Sequence, residues 1–134
     1  MIPTLPRLPR PASAGTPFVM MSTAVYAPNR PDNPAAFSPT IVQGMLRGDL
    51  GFHGVIVSDD LGNARQVASV SVPDRALRFL AAGGDLVLTL DNGQTAAMVG
   101  AVLARAQADP RFRAQVDASA LRVLLAKQRL GLLR

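Results

Sequence analysis

Three short apolar runs frame what this chain can become: Phe18-Val19-Met20-Met21, Val55-Ile56-Val57 and Leu86-Val87-Leu88. They begin about 37 and 31 residues apart, and helical patterns fill the intervals. An uninterrupted apolar run suits a strand covered on both faces, as strands of parallel sheets are. Parallel neighbours cannot be joined by a tight turn, so each connection must be a long crossover, usually a helix of right-handed sense. The spacing therefore predicts an α/β fold of parallel strands. A closed (β/α) barrel needs eight strands and about 250 residues. A chain of 134 residues is either a small open sheet or part of something larger, and spacing alone does not choose.

Residues 1–16 carry prolines without periodicity and are expected to be a loop or disordered lead-in, leaving 17–134 as the folded portion. Pro17 to Ser22 is the first predicted strand. Ala27 to Phe37, with three prolines and two asparagines, is predicted to be a long loop. Ser38-Pro39 is a helix start, serine as N-cap and proline at the first position. Ile41, Val42, Met45 and Leu46 follow on one helical face, and the helix should stop near Gly48 to Gly51. Gly54 to Ser58 is the second strand. Pro73 to Ala82 is a helix closed by Gly83-Gly84, and Asp85 to Leu90 is the third strand. Thr95 to Gln107 and Asp117 to Leu130 are the last helices, with Leu121, Leu124 and Leu125 on the inner face of the second.

Composition removes several chemistries. Without cysteine there is no thiol catalysis, disulfide or cysteine-based zinc site. His53 is the only histidine, so a multi-histidine metal site cannot form within the chain, and neither a metal nor a cofactor is expected. All nine acids are Asp, so any carboxylate chemistry belongs to an aspartate. Thirteen of the fourteen basic residues are Arg and the net charge is +5. Only Phe112 interleaves with arginines and no nucleic-acid motif appears, so scattered surface arginine is the preferred reading and no nucleic-acid partner is expected. A hydrophobic fraction of 49% and a mean hydropathy of +0.21 are high. Yet no apolar run approaches the roughly 18 residues of a membrane span. Four prolines and two arginines in Met1 to Gly15 do not suit a secretory signal, and the compartment stays open.

The chemistry-bearing candidate is Asp59-Asp60, directly after the second strand. The dipeptide alone reads as an Asx turn or helix N-cap more readily than as a catalytic site. Its surroundings say more. Leu46-Arg47-Gly48-Asp49-Leu50-Gly51-Phe52-His53-Gly54-Val55-Ile56-Val57-Ser58-Asp59-Asp60-Leu61-Gly62 resembles the nucleophile region of family 3 glycoside hydrolases. It is most similar to the bacterial β-N-acetylglucosaminidase (β-N-acetylhexosaminidase) branch, which acts on cell-wall sugars. Phe18 to Ser22 with Tyr26 resembles the preceding barrel strand, and Asn33 to Pro39 the loop after it. Ala82-Gly83-Gly84-Asp85-Leu86 resembles the start of the last barrel strand, and Arg122 to Lys127 with Leu130-Gly131-Leu132 the closing helix.

The resemblance implies that the three strands are the sixth, seventh and eighth of a TIM-like barrel. It makes Asp59 the nucleophile of a retaining hydrolase, with Ser22, Tyr26 and Asp60 near the carbohydrate pocket and a capping role for Asp60. A carboxylate ending a barrel strand stands where such enzymes keep their catalytic groups. There it can attack the anomeric carbon and form a glycosyl-enzyme ester that water then hydrolyses. The family's acid/base Asp-His loop and its Lys-His sugar-binding segment have no counterpart here, so this chain by itself is expected to be weakly active or inactive. His53 falls at a loop position and is expected to take no catalytic part. Thr23 replaces a histidine and Asn63 a methionine common in the family. An unpaired first strand should favour self-association or pairing with a chain that supplies the missing barrel half. The alternative function is a non-catalytic interaction module derived from such a barrel.

Overall fold

The computed structural model describes residues 15–25 and 33–134. Residues 1–14 of the lead-in, Tyr26 and most of the proline-rich loop lie outside them. Three strands, β1 (Phe18–Met21), β2 (Val55–Asp60) and β3 (Leu86–Leu88), form a sheet in sequence order with β2 at the centre. Both pairings are parallel, Phe18 opposite Val55 through Met21 opposite Ser58, then Val57 opposite Leu86 and Asp60 opposite Leu88. The expected α/β class and strand direction are what the chain adopts.

One face of the sheet carries the core. Ile56 is fully buried, and Val19 and Val87 beside it pack against a cluster that includes Val42, Leu46, Phe52, Phe79, Leu80, Met98 and Phe112. These side chains come from helices α1 (Val72–Ala81), α2 (Thr95–Ala108) and α3 (Pro110–Arg129), from the Thr40–Asp49 segment and, for Phe52, from the loop before β2. That segment is a π-helix, visible in the bond from Leu50 N–H to the Met45 carbonyl five residues back. Ser38 opens it as expected, its hydroxyl accepting from Ile41 N–H at 3.3 Å. Val42 and Leu46 point inward while Met45 is 51% exposed, so the predicted four-residue face is narrower than its spacing implied. The α1 helix ends as predicted, with Gly83 at φ +110°, a conformation that a side chain would strain.

The last helix departs from expectation twice. It begins at Pro110 rather than Asp117, because Asp109 caps it by accepting from Arg111 N–H at 3.0 Å and Phe112 N–H at 3.3 Å. Its inward residues are Phe112, Ser119 and Ala126; Leu121, Leu124 and Leu125 are 55%, 50% and 39% exposed. The rotation is set by Ser119, whose hydroxyl bonds the Gly84 carbonyl and Asp85. With Ser119 fixed inward, the small Ala126 seven residues on lies over the same line, and the leucines turn away. The third strand is also shorter than Asp85 to Leu90, because Leu90 N–H leaves the ladder for the Asp60 carboxylate.

Candidate active site

Asp59 and Asp60 are the last two residues of β2, not residues beyond it, so their backbone is held by the central strand of the sheet. At that end the ladder is uneven. Three residues of β2 from Val57 to Asp60 advance against two of β3, a β-bulge. Bulges kink a strand and re-aim side chains, and they gather near active sites. Ser58 repairs the gap. Fully buried, its hydroxyl oxygen accepts from Leu88 N–H at 2.9 Å and replaces the ladder acceptor that the bulge removes.

Side-chain alternation separates the two carboxylates. Ile56 and Ser58 face the helices, whereas Val55, Val57 and Asp59 lie on the opposite face, in register with Phe18 and Met20 of β1. Asp59 is half-buried, and its Oδ1 accepts from the Asp60 N–H at 2.7 Å. Ser22 follows Met21, the partner of Ser58, and so lies at the same end of the sheet as Asp59. Its hydroxyl oxygen accepts from Ala24 N–H at 2.9 Å, shaping the turn out of β1. Thr23 next to it is buried and Asn63 exposed.

Asp60 serves the loop. Its Oδ1 accepts from Gly62 N–H at 2.8 Å and from Leu90 N–H at 3.0 Å. Partial burial pushes its carboxyl up, but the N–H groups of Leu90, Gly62 and Asn63 and the nearby Arg75 charge outweigh this and leave it below the ordinary carboxylate value. No helix starts near Gly62. The chain instead turns through a short 3-10 segment, Arg65–Val67, and α1 waits until Val72. Asp60 therefore forms an Asx turn rather than a helix cap.

Two residues here carry no sequence signal that the motif reading used. Arg75, on α1, is buried and points its guanidinium back to the loop, donating to the carbonyls of Leu61 at 3.0 Å, Gly62 at 2.8 Å and Val70 at 2.8 Å. Gln94, before α2, donates to the Gly62 carbonyl at 3.3 Å. Gly62 itself has no room for a side chain: a Cβ would collide with the Thr89 hydroxyl.

A second charged cluster occupies the opposite end of the sheet. Asp85, at the start of β3, is fully enclosed and accepts from Ile56 N–H, Ser119 Oγ, Arg47 and Arg122. Burial lowers the Arg47 guanidinium pKa, Asp85 raises it, and Arg122 lowers it again, the net change being downward. His53 is exposed at this same end, far along the strand from Asp59. Among the described residues no group of three His, Cys, Asp or Glu side chains is placed to hold a metal, and no helix is long and apolar enough to cross a membrane.

A family model described as "Glycosyl hydrolase family 3 N terminal domain" matches residues 12–126. A beta-hexosaminidase of Stenotrophomonas maltophilia (strain R551-3) is 46% identical over 76 residues, which are 57% of this chain and 22% of that protein. One from Xanthomonas campestris pv. campestris (strain B100) is 38% identical over 92 residues, 69% of this chain and 28% of that one. Among solved structures, a beta-N-acetylhexosaminidase from Beutenbergia cavernae DSM 12333 superposes with a TM-score of 0.81 at 55% identity, covering 86% of this chain and 34% of its own. A family 3 beta-N-acetylglucosaminidase from Paenibacillus sp. str. FPU-7 gives 0.74 at 29% identity, covering 90% and 23%. The chain thus spans between about a fifth and a third of these relatives. The matched stretch includes the whole of the bulged strand, and the chain belongs to glycosyl hydrolase family 3, within its N-terminal domain.

Proposed function

We propose that the chain supplies the last three βα units of a family 3 barrel and, within it, the nucleophile of a retaining β-N-acetylhexosaminidase, Asp59. The observation that carries this reading is the position of Asp59: the C-terminal end of the central parallel strand, on the face turned away from the helices. In a (β/α) barrel that face is the lumen and that end is the catalytic mouth. A carboxylate there attacks the anomeric carbon, the glycosidic oxygen leaves, and a glycosyl-aspartyl ester forms. Water then hydrolyses the ester with overall retention. Protonation of the leaving oxygen needs a general acid worth about 10²–10⁴-fold, and the barrel beyond this chain would provide it. Ser22 would line the pocket beside Asp59; Tyr26 lies outside the described residues.

The same reading accounts for apolar surface that a parallel sheet normally covers on both sides. Met20 is 56% exposed, Leu86 38% and Leu88 36%, all on the helix-free face or its edges. The remaining barrel strands, in the same polypeptide or in a second one, are the covering this face fits. A non-catalytic interaction module would use the same face without needing the carboxylate. The test is to combine the chain with the N-terminal two thirds of the Beutenbergia cavernae enzyme and assay a chromogenic N-acetylglucosaminide. Hydrolysis should require both pieces and vanish with Asp59→Ala. A slow fluorosugar should leave its mass on the peptide containing Asp59. Undiminished hydrolysis by the Asp59→Ala pair would remove Asp59 from the chemistry.

A further inference from the structure

The turn behind Asp59 is tied down more heavily than an ordinary surface turn requires. An Asx turn needs one bond, from Gly62 N–H to the Asp60 carboxylate. Here the same oxygen also accepts from Leu90 N–H, thirty residues along the chain at the exit of β3. Arg75, only 8% exposed, holds the Leu61 and Gly62 carbonyls from the α1 side. Gln94 holds the Gly62 carbonyl from the α2 side, and the missing Cβ of Gly62 lets Thr89 and Gln94 close in. The peptide between residues 59 and 60 is thus fixed by β2 behind it and by three separate elements ahead of it.

That peptide is what orients the Asp59 side chain, because its N–H is the donor to Asp59 Oδ1 at 2.7 Å. We infer that Asp60 is a positioning residue for Asp59: by joining the turn at Gly62 to Leu90, just beyond β3, it sets the direction of the Asp60 N–H and through it the aim of the Asp59 carboxylate. This inference rests on Asp59 being the nucleophile. It explains why a second carboxylate follows the first although its own bonded oxygen is turned to the loop. Aim matters at such a position, since a misplacement of about 1 Å can cost about 10²-fold in rate. The acceptor oxygen does this work, so the isosteric amide of Asp60→Asn keeps it and Asp60→Ala does not.

The experiment uses the 134-residue chain by NMR, with Asp60→Asn and Asp60→Ala beside the wild type. Three-bond side-chain couplings of Asp59 report whether it holds one rotamer, and hydrogen exchange reports the Gly62 and Leu90 amides. Asp60→Ala should average the Asp59 couplings and speed exchange at both amides by about tenfold, as expected for one lost hydrogen bond. Asp60→Asn should stay near wild type in both. If Asp60→Ala proves unfolded, Gln94→Ala serves in its place, with partial averaging of Asp59. Couplings of Asp59 that stay fixed while the two amides lose protection would overturn the inference and leave Asp60 as a turn former. In the reconstituted barrel, Asp60→Ala should lower kcat about 10²-fold at nearly constant KM. Activity that survives Asp59→Ala refutes the nucleophile reading instead, and the two failures read out separately.

Discussion

Replacing Asp85 with alanine tests what holds the sheet to its helices. The side chain is fully enclosed and takes hydrogen bonds from Ile56 N–H at 2.9 Å, Ser119 Oγ at 2.8 Å, Arg122 at 2.9 Å and Arg47. Removal leaves the Arg47 guanidinium, 16% exposed, without its counter-charge and the Ile56 N–H without an acceptor. Breaking a buried pair from one side costs about 3–5 kcal/mol, against a total of about 5–15 kcal/mol for a domain. For a chain of this size that lowers Tm by about 10–20 °C. Arg122 is 37% exposed in its side chain, so Arg122→Met should cost about 1 kcal/mol at most. Urea and thermal unfolding followed by far-ultraviolet circular dichroism at two protein concentrations give both numbers. A loss below about 1 kcal/mol in Asp85→Ala, the size of an exposed ion pair, would refute the claim that this cluster clamps the fold.

Three further outcomes follow from the same geometry. Ser58→Ala removes the acceptor for Leu88 N–H at the bulge and should cost about 1–3 kcal/mol in urea unfolding. Asp60 has its carboxyl pKa depressed below the ordinary 3.8, so its contribution is present above the unfolded value and disappears as pH falls through the lower folded value. The stability gap between wild type and Asp60→Asn should accordingly close on acidification below about pH 4, and a constant gap would contradict it. Met20, 56% exposed on the helix-free face, should promote association in the isolated chain, and Met20→Lys should shift size-exclusion profiles toward monomer.

The architecture was legible where local chemistry and burial agree. The β-branched run at Val55-Ile56-Val57 is buried and parallel, Ser38 opens its helix, and Gly83 closes α1. Reading failed where distant partners decide. Leu121, Leu124 and Leu125 have helical spacing, but Ser119 is drawn inward by Asp85 and turns them out. The start of α3 at Pro110, capped by Asp109, follows ordinary cap chemistry and lies well before the Asp117 at which the predicted helix begins. For the site, the motif picks out Asp59 and Asp60 as candidates and alternation sets them on opposite faces, but the Leu90 N–H that holds Asp60 comes from thirty residues away. Arg75 and Gln94 lie 13 and 32 residues from Gly62, whose carbonyl they hold, and nothing in their own neighbourhoods announces the contact.

The sheet separates two jobs along one strand. Ile56 carries the contact to Asp85, and Asp60, four residues later, carries the contact to the loop. At a rise of about 3.3 Å per residue these points are about 13 Å apart, beyond the distance at which substitutions ordinarily couple. The free-energy changes of Asp85→Asn and Asp60→Asn should therefore add within about 0.5 kcal/mol when combined. Additivity in unfolding experiments means that the Asp85 end can be strengthened or weakened without disturbing the aim of Asp59. A coupling above about 1 kcal/mol would mean that β2 transmits strain between its ends, and the clamp and the site could no longer be treated as independent.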